Sequence, residues 1–337
     1  MTYILQPLTG KTRHHVKDSR DFASFVSTVT LKDSEMLVSF DVESLFTSIP
    51  VKEAISITMD SLKGDPTLVD RTSLHIADVR RMLEFCLNNA YFTFEGDLYL
   101  QTDGLTMGSP ISPPVANLFM ESFEQEALLT APHPPRIWKR YVDDTFCVID
   151  CDHLASFLTF LNNLRKDVIT FTYEEETDGQ IAFLDVLVKR KPDLSLDTTV
   201  FRKKTHTDQY LSFDSHHPES AKRSVLRSLF NRADSVPSNS VDREREKTHI
   251  QHALKLNNYP SKFVRDFTSR PPRTVTTDDS RPYATVILGL LKLFAKFFRK
   301  RICAYTSRRP TPFDNSWFIP KTPFQGRVYV SWALGRA

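Results

Sequence analysis

The sequence predicts an α+β fold: an antiparallel sheet backed by helices on one face, then a helical segment with a helix-turn-helix-like bundle. Across residues 1–200, strand-like and helical apolar patterns are mixed in order, which suits an antiparallel sheet with helices packed on it. After about residue 205 the pattern changes to helices joined by Ser, Asn and Pro, most plainly at 234–240, so a domain boundary is expected near residue 200. Charge changes at the same place. Residues 1–200 carry 18 basic and 30 acidic side chains and residues 201–337 carry 26 and 11, net charges of −12 and +15 in a chain of net +3. The expectation is an acidic, metal-binding half joined to a half that meets a polyanion such as nucleic acid; a merely solvated basic surface is the alternative.

The elements follow in order. Met36–Phe40 reads as an apolar strand, and Pro50 opens a helix that runs through Met59. Ile76, Val79, Met82, Leu83, Cys86 and Leu87 recur at helical spacing. Tyr91–Phe94 and Leu98–Leu100, joined through Glu95, Gly96 and Asp97, read as a hairpin. A Gly-containing turn leads into a helix over about Pro113–Leu128, which tolerates its prolines because they fall in the first turn. Trp138–Val142 and Thr145–Ile149 are expected as strands with Asp143 and Asp144 in the turn between them. A helix over Leu154–Leu164 and strands over Val168–Tyr173, Ile181–Val188 and Thr198–Phe201 complete residues 1–200. Helices at about 218–232, 241–257 and 260–268 form the bundle, with Lys222, Arg223, Arg227, Arg232 and Arg265 available to phosphates. Residues 271–337 are expected to be a connector and a poorly structured tail, with Pro310, Pro312, Pro320 and Pro323.

Composition excludes several classes. Cys86, Cys147, Cys151 and Cys303 form no CxxC pair, so neither a disulfide framework nor a zinc site is expected, and buried thiols in a reducing compartment are. Lys11, Arg13, His14, His15 and Lys17 make the start too polar for a signal peptide. The only apolar stretch approaching membrane length, Tyr283–Phe298, is interrupted by Lys292 and Lys296 and reads as an amphipathic helix. An intracellular, nuclear location without stable membrane association is expected. Gly10, Lys11 and Thr12 echo a phosphate-binding loop, but no strand leads in and the earlier glycine position is Leu5.

Three features carry chemistry. Asp41 ends an apolar strand, and Phe46 follows five residues later. Asp143 and Asp144 repel one another unless cations share them. Gly104 to Pro113 makes a tight turn at a helix entrance, where glycine permits close approach of a backbone or a base. Each alone has a plain structural reading. Together they suit nucleotide joining, which uses two divalent ions, one at the attacking hydroxyl and one at the leaving pyrophosphate, held by hard oxygen ligands.

Here the sequence resembles a known family. SFDVESLFTSIP (39–50), GLTMGSPISPPVANLFMESFE (104–124), RYVDDTF (140–146) and FLDVLVKR (183–190) are similar, in that order, to the reverse-transcriptase motifs of Penelope-like retroelements. PLTGKTRHHVKDSRDF (7–22) and FRKKTHTDQYLSFDSHHP (201–218) also look like that family, so the similarity covers about residues 5–270. The resemblance implies a polymerase palm with an RNA-recognition-like sheet over 1–200, a helical thumb over 201–270, and RNA-directed DNA polymerase activity. It implies Asp41 and Asp143 as ligands of two magnesium ions, with manganese a substitute, the Val42 carbonyl completing the shell and Asp144 supporting. Phe46 matches the aromatic that gates against the ribose 2′-hydroxyl. Gly108, Ser109 and Pro110 match the turn supporting template and incoming nucleotide, beside Tyr141 of the acidic motif. Phe183, Leu184 and Asp185 match the primer-grip region, in which Asp185 reads as structural rather than catalytic. Lys203, Lys204, His206, Lys222, Arg223 and Arg227 fall in the thumb, whose implied task is holding primer–template through phosphates. RNA template, DNA primer and deoxynucleoside triphosphates are the implied partners.

The family's finger motifs and its GIY-YIG endonuclease are not found, although Gly326, Arg327, Val328 and Tyr329 stand about where such a nuclease begins. A truncated copy is therefore expected, and an inactive remnant that only binds nucleic acid is the alternative reading. An RNA-templated RNA polymerase would share the same palm.

Overall fold

The computed structural model describes residues 1–269; Cys303, the amphipathic stretch at 283–298 and the proline-rich tail lie outside the described residues. Thr2–Leu5 (α1) and Ser19–Val26 (α2) precede the first strand, Glu35–Val42 (β1). Next come Leu45–Ser48 (α3), Val51–Lys63 (α4), Leu68–Arg71 (α5) and Ile76–Asn88 (α6), then the hairpin Tyr91–Phe94 (β2) and Asp97–Leu100 (β3). Ser112–Thr130 (α7) leads to Ile137–Tyr141 (β4), Asp144–Asp150 (β5), Leu154–Leu164 (α8) and Phe171–Glu175 (β6). A second small sheet is Gln180–Phe183 (β7), Val186–Arg190 (β8) and Leu196–Val200 (β9). Glu219–Ser235 (α9), Ser240–Leu256 (α10) and Ser261–Thr268 (α11) end the described chain.

Local chemistry sets these boundaries. Asp18 accepts the Asp21 N–H at the start of α2, and Asn239 accepts the Asp242 N–H at the start of α10, as short polar side chains do at helix N-caps. Pro113 and Pro114 sit in the first turn of α7, where no intrahelical N–H is lost. Glu95 and Gly96, at φ 52° and 91°, form the two-residue connection whose twist matches a β-hairpin.

The main sheet is antiparallel throughout, in the order β4-β5-β1-β6. Side chains alternate across it. Val38, Phe40, Val42 and Cys147 enter the core with Phe119, Phe123, Phe157 and Leu161 of α7 and α8, so one face is backed by helices, as the sequence predicts. Leu37, Phe146 and Val148 enter a second core with Phe22 and Val26 of α2 and with Ile181, Phe183, Val186 and Val188. Phe22 fastens this second layer, its ring 4.9 Å from Phe146 and 4.5 Å from Phe183.

Several expectations need correction. Ile181–Val188 is not one strand: β7 and β8 are paired antiparallel through Leu184–Asp185, and Leu184 hides the turn because it is apolar yet takes φ 55°. Among the described cysteines only Cys147 is buried, whereas Cys86 and Cys151 are exposed. On α6 it is Val79, Leu83 and Leu87 that face inward, and Met82 and Cys86 do not. The change in element type near residue 200 is no break in packing. Val236 joins the second core, and Thr198 Oγ1 donates to the Val236 carbonyl at 2.6 Å. Met1–Val264 accordingly form one compact unit. Among the described residues no helix is long and apolar enough to cross a membrane.

Candidate active site

β1 and β5 run antiparallel with Ser39 opposite Phe146 and Phe40 opposite Thr145. One further step sets Asp41 across from Asp144. By alternation both fall on the face that carries Leu37, Phe146 and Val148, beyond the point where α2 and the small sheet cover it. β6 adds Glu174, whose partner on β1 is Ser39, so this carboxylate shares the same face.

Asp143 and Asp144 are not both in the turn. Tyr141 pairs directly with Asp144, so the connection is Val142–Asp143 and Asp144 is the first residue of β5. This is the shortest hairpin connection, and it puts Val142 at φ 58°, a left-handed conformation costing about 1–3 kcal/mol for such a residue. The surroundings hold it there. Arg140 Nη1 donates to the Val142 carbonyl and to Asn117 Oδ1, both at 2.9 Å. Its Nε and Nη2 donate to Glu124 at 2.8 and 3.2 Å, and Trp138 Nε1 donates to Glu124 at 2.7 Å. The ion pair is buried, with side-chain exposures of 0% for Arg140 and 2% for Glu124.

Two of these carboxylates are perturbed by their neighbours. Asp41 is raised above the ordinary range by burial and then by the Asp143 charge, with Glu174 and Glu43 adding to it. Asp144 is pushed up to about 6 by burial and then by Asp143 and Asp41, against the opposing charge of Lys203. Crowded hard oxygens of this kind are the donor set that magnesium takes, so the residues fit such an ion, with Val42, buried on the opposite face, able to offer only its backbone. Among the described residues no three His, Cys, Asp or Glu side chains converge closely enough to hold an ion as they stand.

The folded-state value of Asp144, about 6 against an ordinary 3.8, means that the folded state binds the proton more tightly. The stability linked to this group is present in acid and lost as pH rises through about 6. Magnesium at ten times its dissociation constant is therefore expected to raise the melting temperature by about 3–5 °C near pH 7.5. Near pH 5, with Asp144 protonated and its support of the site lost, the shift should be smaller. Calorimetry showing equal shifts at both pH values would refute this.

The loop before α7 docks on α3. Leu105 N donates to the Phe46 carbonyl at 2.6 Å, and Phe46 is half-buried against the main core. Gly104, at φ +73°, has no room for a side chain, since a Cβ would lie 2.6 Å from both Cα and O of Thr47. Gly108, at φ +87°, faces open space. Gly104→Ala is thus expected to destabilise the fold by about 1–3 kcal/mol, and Gly108→Ala by nearer 1 kcal/mol. Urea midpoints of the two variants decide it; equal losses would contradict the docking. Ser109 and Pro110 line a groove of about 560 Å³ with Met1, Met82 and Phe85.

The remaining candidates divide. Tyr141 is exposed and lines a cleft of about 280 Å³ with Asp18, Ser19, Leu184 and Asp185. Phe183 is core, packed on Phe22 and Phe146, and cannot reach a primer as expected. Asp185 pairs with Arg232 at 3.5 Å, in keeping with a structural part. Lys203, Lys204, His206 and Arg227 are exposed; His206 Nε2 lies 3.0 Å from Asp208 Oδ1. Lys222 and Arg223 are engaged within the chain rather than free. Lys222 Nζ donates to the Ser215 carbonyl and sits 4.9 Å from the Phe213 ring, and the Arg223 guanidinium lies 4.7 Å from the Phe263 ring while pairing with Glu219. Sequence reasoning missed Glu174, Asn117, Glu124 and the part played by Arg140. Only Glu174 left a signal, the period of two that sets Thr172 and Glu174 opposite Phe171.

A family model described as reverse transcriptase (RNA-dependent DNA polymerase) matches residues 4–172, and one described as animal helix-turn-helix domain matches residues 209–268. No curated protein matches the chain. Among solved structures it is similar to apo telomerase from Candida tropicalis, with 14% identity, 78% of this chain and 48% of that chain covered, and a TM-score of 0.47. Telomerase from Candida albicans in complex with a TWJ fragment of telomeric RNA gives 16%, 79%, 46% and 0.46. The RNA-dependent RNA polymerase of a human picorbirnavirus gives 11%, 72%, 47% and 0.45. The chain spans less than half the length of each of these three.

Proposed function

Because the chain belongs to the reverse transcriptase (RNA-dependent DNA polymerase) family, whose model matches residues 4–172, we propose that it extends a DNA primer on an RNA template. The carrying observation is that Asp41 and Asp144 stand opposite one another on adjacent strands, with Asp143 in the turn, and that the Asp143 charge raises the pKa of both. In the proposed reaction the primer 3′-oxygen bonds to the α-phosphorus of a deoxynucleoside triphosphate, the bond between α- and β-phosphates breaks, and pyrophosphate leaves. Two magnesium ions, when bound, would supply activation of that hydroxyl and neutralisation of the leaving group.

The protein's own residues divide the work. Asp41 and Asp143, with the Val42 carbonyl, are the ligands in this reading, and Asp144 supports them. Phe46, braced by Leu105, gates against a ribose 2′-hydroxyl. Gly108, with open space before it, lets template or nucleotide approach the backbone. Tyr141 and Leu184 line the cleft beside the acidic turn, where the primer end would lie. Lys203 and Lys204 are exposed and suit the phosphates of the duplex, with Arg227 on α9. The order of the four motifs supports a Penelope-like retroelement as the source, which in turn suits a nuclear location.

The test is primer extension by the full chain with magnesium or manganese, compared with Asp143→Ala. Extension with deoxynucleotides well above the variant is expected. No difference between the two would sink the reading, and preference for ribonucleotides would turn it into RNA synthesis.

A further inference from the structure

We propose that Arg140 is the positioning residue of the acidic turn, fixing the direction of Asp143 by holding the carbonyl of Val142. What Asp143 does rests on the polymerase reading above; how it is held does not. The peptide plane between Val142 and Asp143 is the central one of the connection joining β4 to β5. Its carbonyl belongs to Val142 and its N–H to Asp143, so a group that fixes the carbonyl also fixes where Asp143 begins. Val142 stands at φ 58°, a region that β-branched residues leave readily. Rotation about the N–Cα bond of Val142 would relieve that φ, carry this carbonyl off Arg140 and swing the Asp143 carboxylate away from Asp41.

Arg140 opposes that rotation. Its Nη1 donates to the Val142 carbonyl at 2.9 Å. The side chain is fully buried, and its other donors are taken by Glu124 and Asn117. Its backbone is anchored too, since Arg140 N donates to the His14 carbonyl at 2.8 Å and the Arg140 carbonyl accepts from Val16 N at 2.9 Å. A planar guanidinium can fork between a carboxylate, an amide oxygen and a backbone carbonyl, whereas an ammonium is a single point charge. Burying a charge pair here makes sense as a device for one conformation of the turn, because such pairs are weak sources of stability.

The test uses the full chain with Arg140→Met and Glu124→Gln combined, which removes both buried charges and leaves an amide oxygen for Trp138 Nε1. Primer extension is expected to fall about 10–100-fold, the usual loss when a supporting partner of a ligand is removed. Hydrogen exchange of the peptide spanning 141–145 is expected to quicken while the circular dichroism stays that of the parent. Adding Val142→Gly should restore most of the extension, because glycine keeps a positive φ without restraint; a packing role for Arg140 would not be rescued by removing a side chain. Unchanged exchange at 141–145, or no rescue by glycine, would overturn the proposal. If the parent chain extends no primer, the polymerase reading falls and the exchange comparison still decides this one. Should the combined variant not fold, Arg140→Lys keeps the charge opposite Glu124 and must show the same faster exchange, and parental exchange there would overturn it.

Discussion

Asp143→Ala is expected to lower primer extension at least about a thousandfold, equivalent to about 4 kcal/mol of transition-state stabilisation. Asp41→Ala should lose about as much, and the two together little more, because ligands of one site act as a unit. Asp144→Asn should lose less, since in the proposed reading it supports the site without anchoring it. Its signature is pH dependence. With the Asp144 carboxyl pushed up to about 6, extension by the parent should fall as pH drops through that value, and the inflection should vanish in Asp144→Asn. Stability should move the other way. Asp143 raises both Asp41 and Asp144, so its removal relieves repulsion, and metal-free Asp143→Ala should melt higher than the parent at neutral pH. A variant that is inactive because it is poorly folded would melt lower, so the pair of measurements separates a chemical loss from a structural one.

The sheet and its acidic face were legible because Met36–Phe40 and Thr145–Ile149 are short, nearly continuous apolar runs with carboxylates at their ends, the pattern of strands buried on both faces. The antiparallel register then brings Asp41 and Asp144 together. What was not legible lies where local propensity is overruled by tertiary contacts. Val142 and Leu184 look like strand residues, and both sit in turns at positive φ. The sequence therefore placed both aspartates in the turn and fused β7 with β8. Phe183 adjoins a turn that lines a cleft, yet its ring closes the second core. Lys222 and Arg223 read as free cations, because nothing local announces that Phe213 and Phe263 will come beneath them. Arg140 and Glu124 lie on different elements, β4 and α7, and no periodicity links them. Only the packing of the helix on the sheet reveals the pair.

That pair carries the largest stability prediction. Arg140→Met alone leaves the Glu124 carboxylate buried without its cation, and Glu124→Gln alone leaves the Arg140 guanidinium buried without its anion; each is expected to cost about 3–5 kcal/mol, read from urea midpoints. The combined variant should cost far less than the sum, since no charge is stranded and Trp138 Nε1 keeps an acceptor. A coupling energy of about 3 kcal/mol, in favour of the combined variant, is the expected result of the cycle. Simple additivity would mean that the two side chains contribute through volume alone. The outcome bears on the acidic turn, because residues joined only by packing could drift without consequence for Val142. A strongly coupled pair would instead show that the helix bearing Asn117 and Glu124 grips the strand bearing Arg140 at the point where Nη1 meets the Val142 carbonyl.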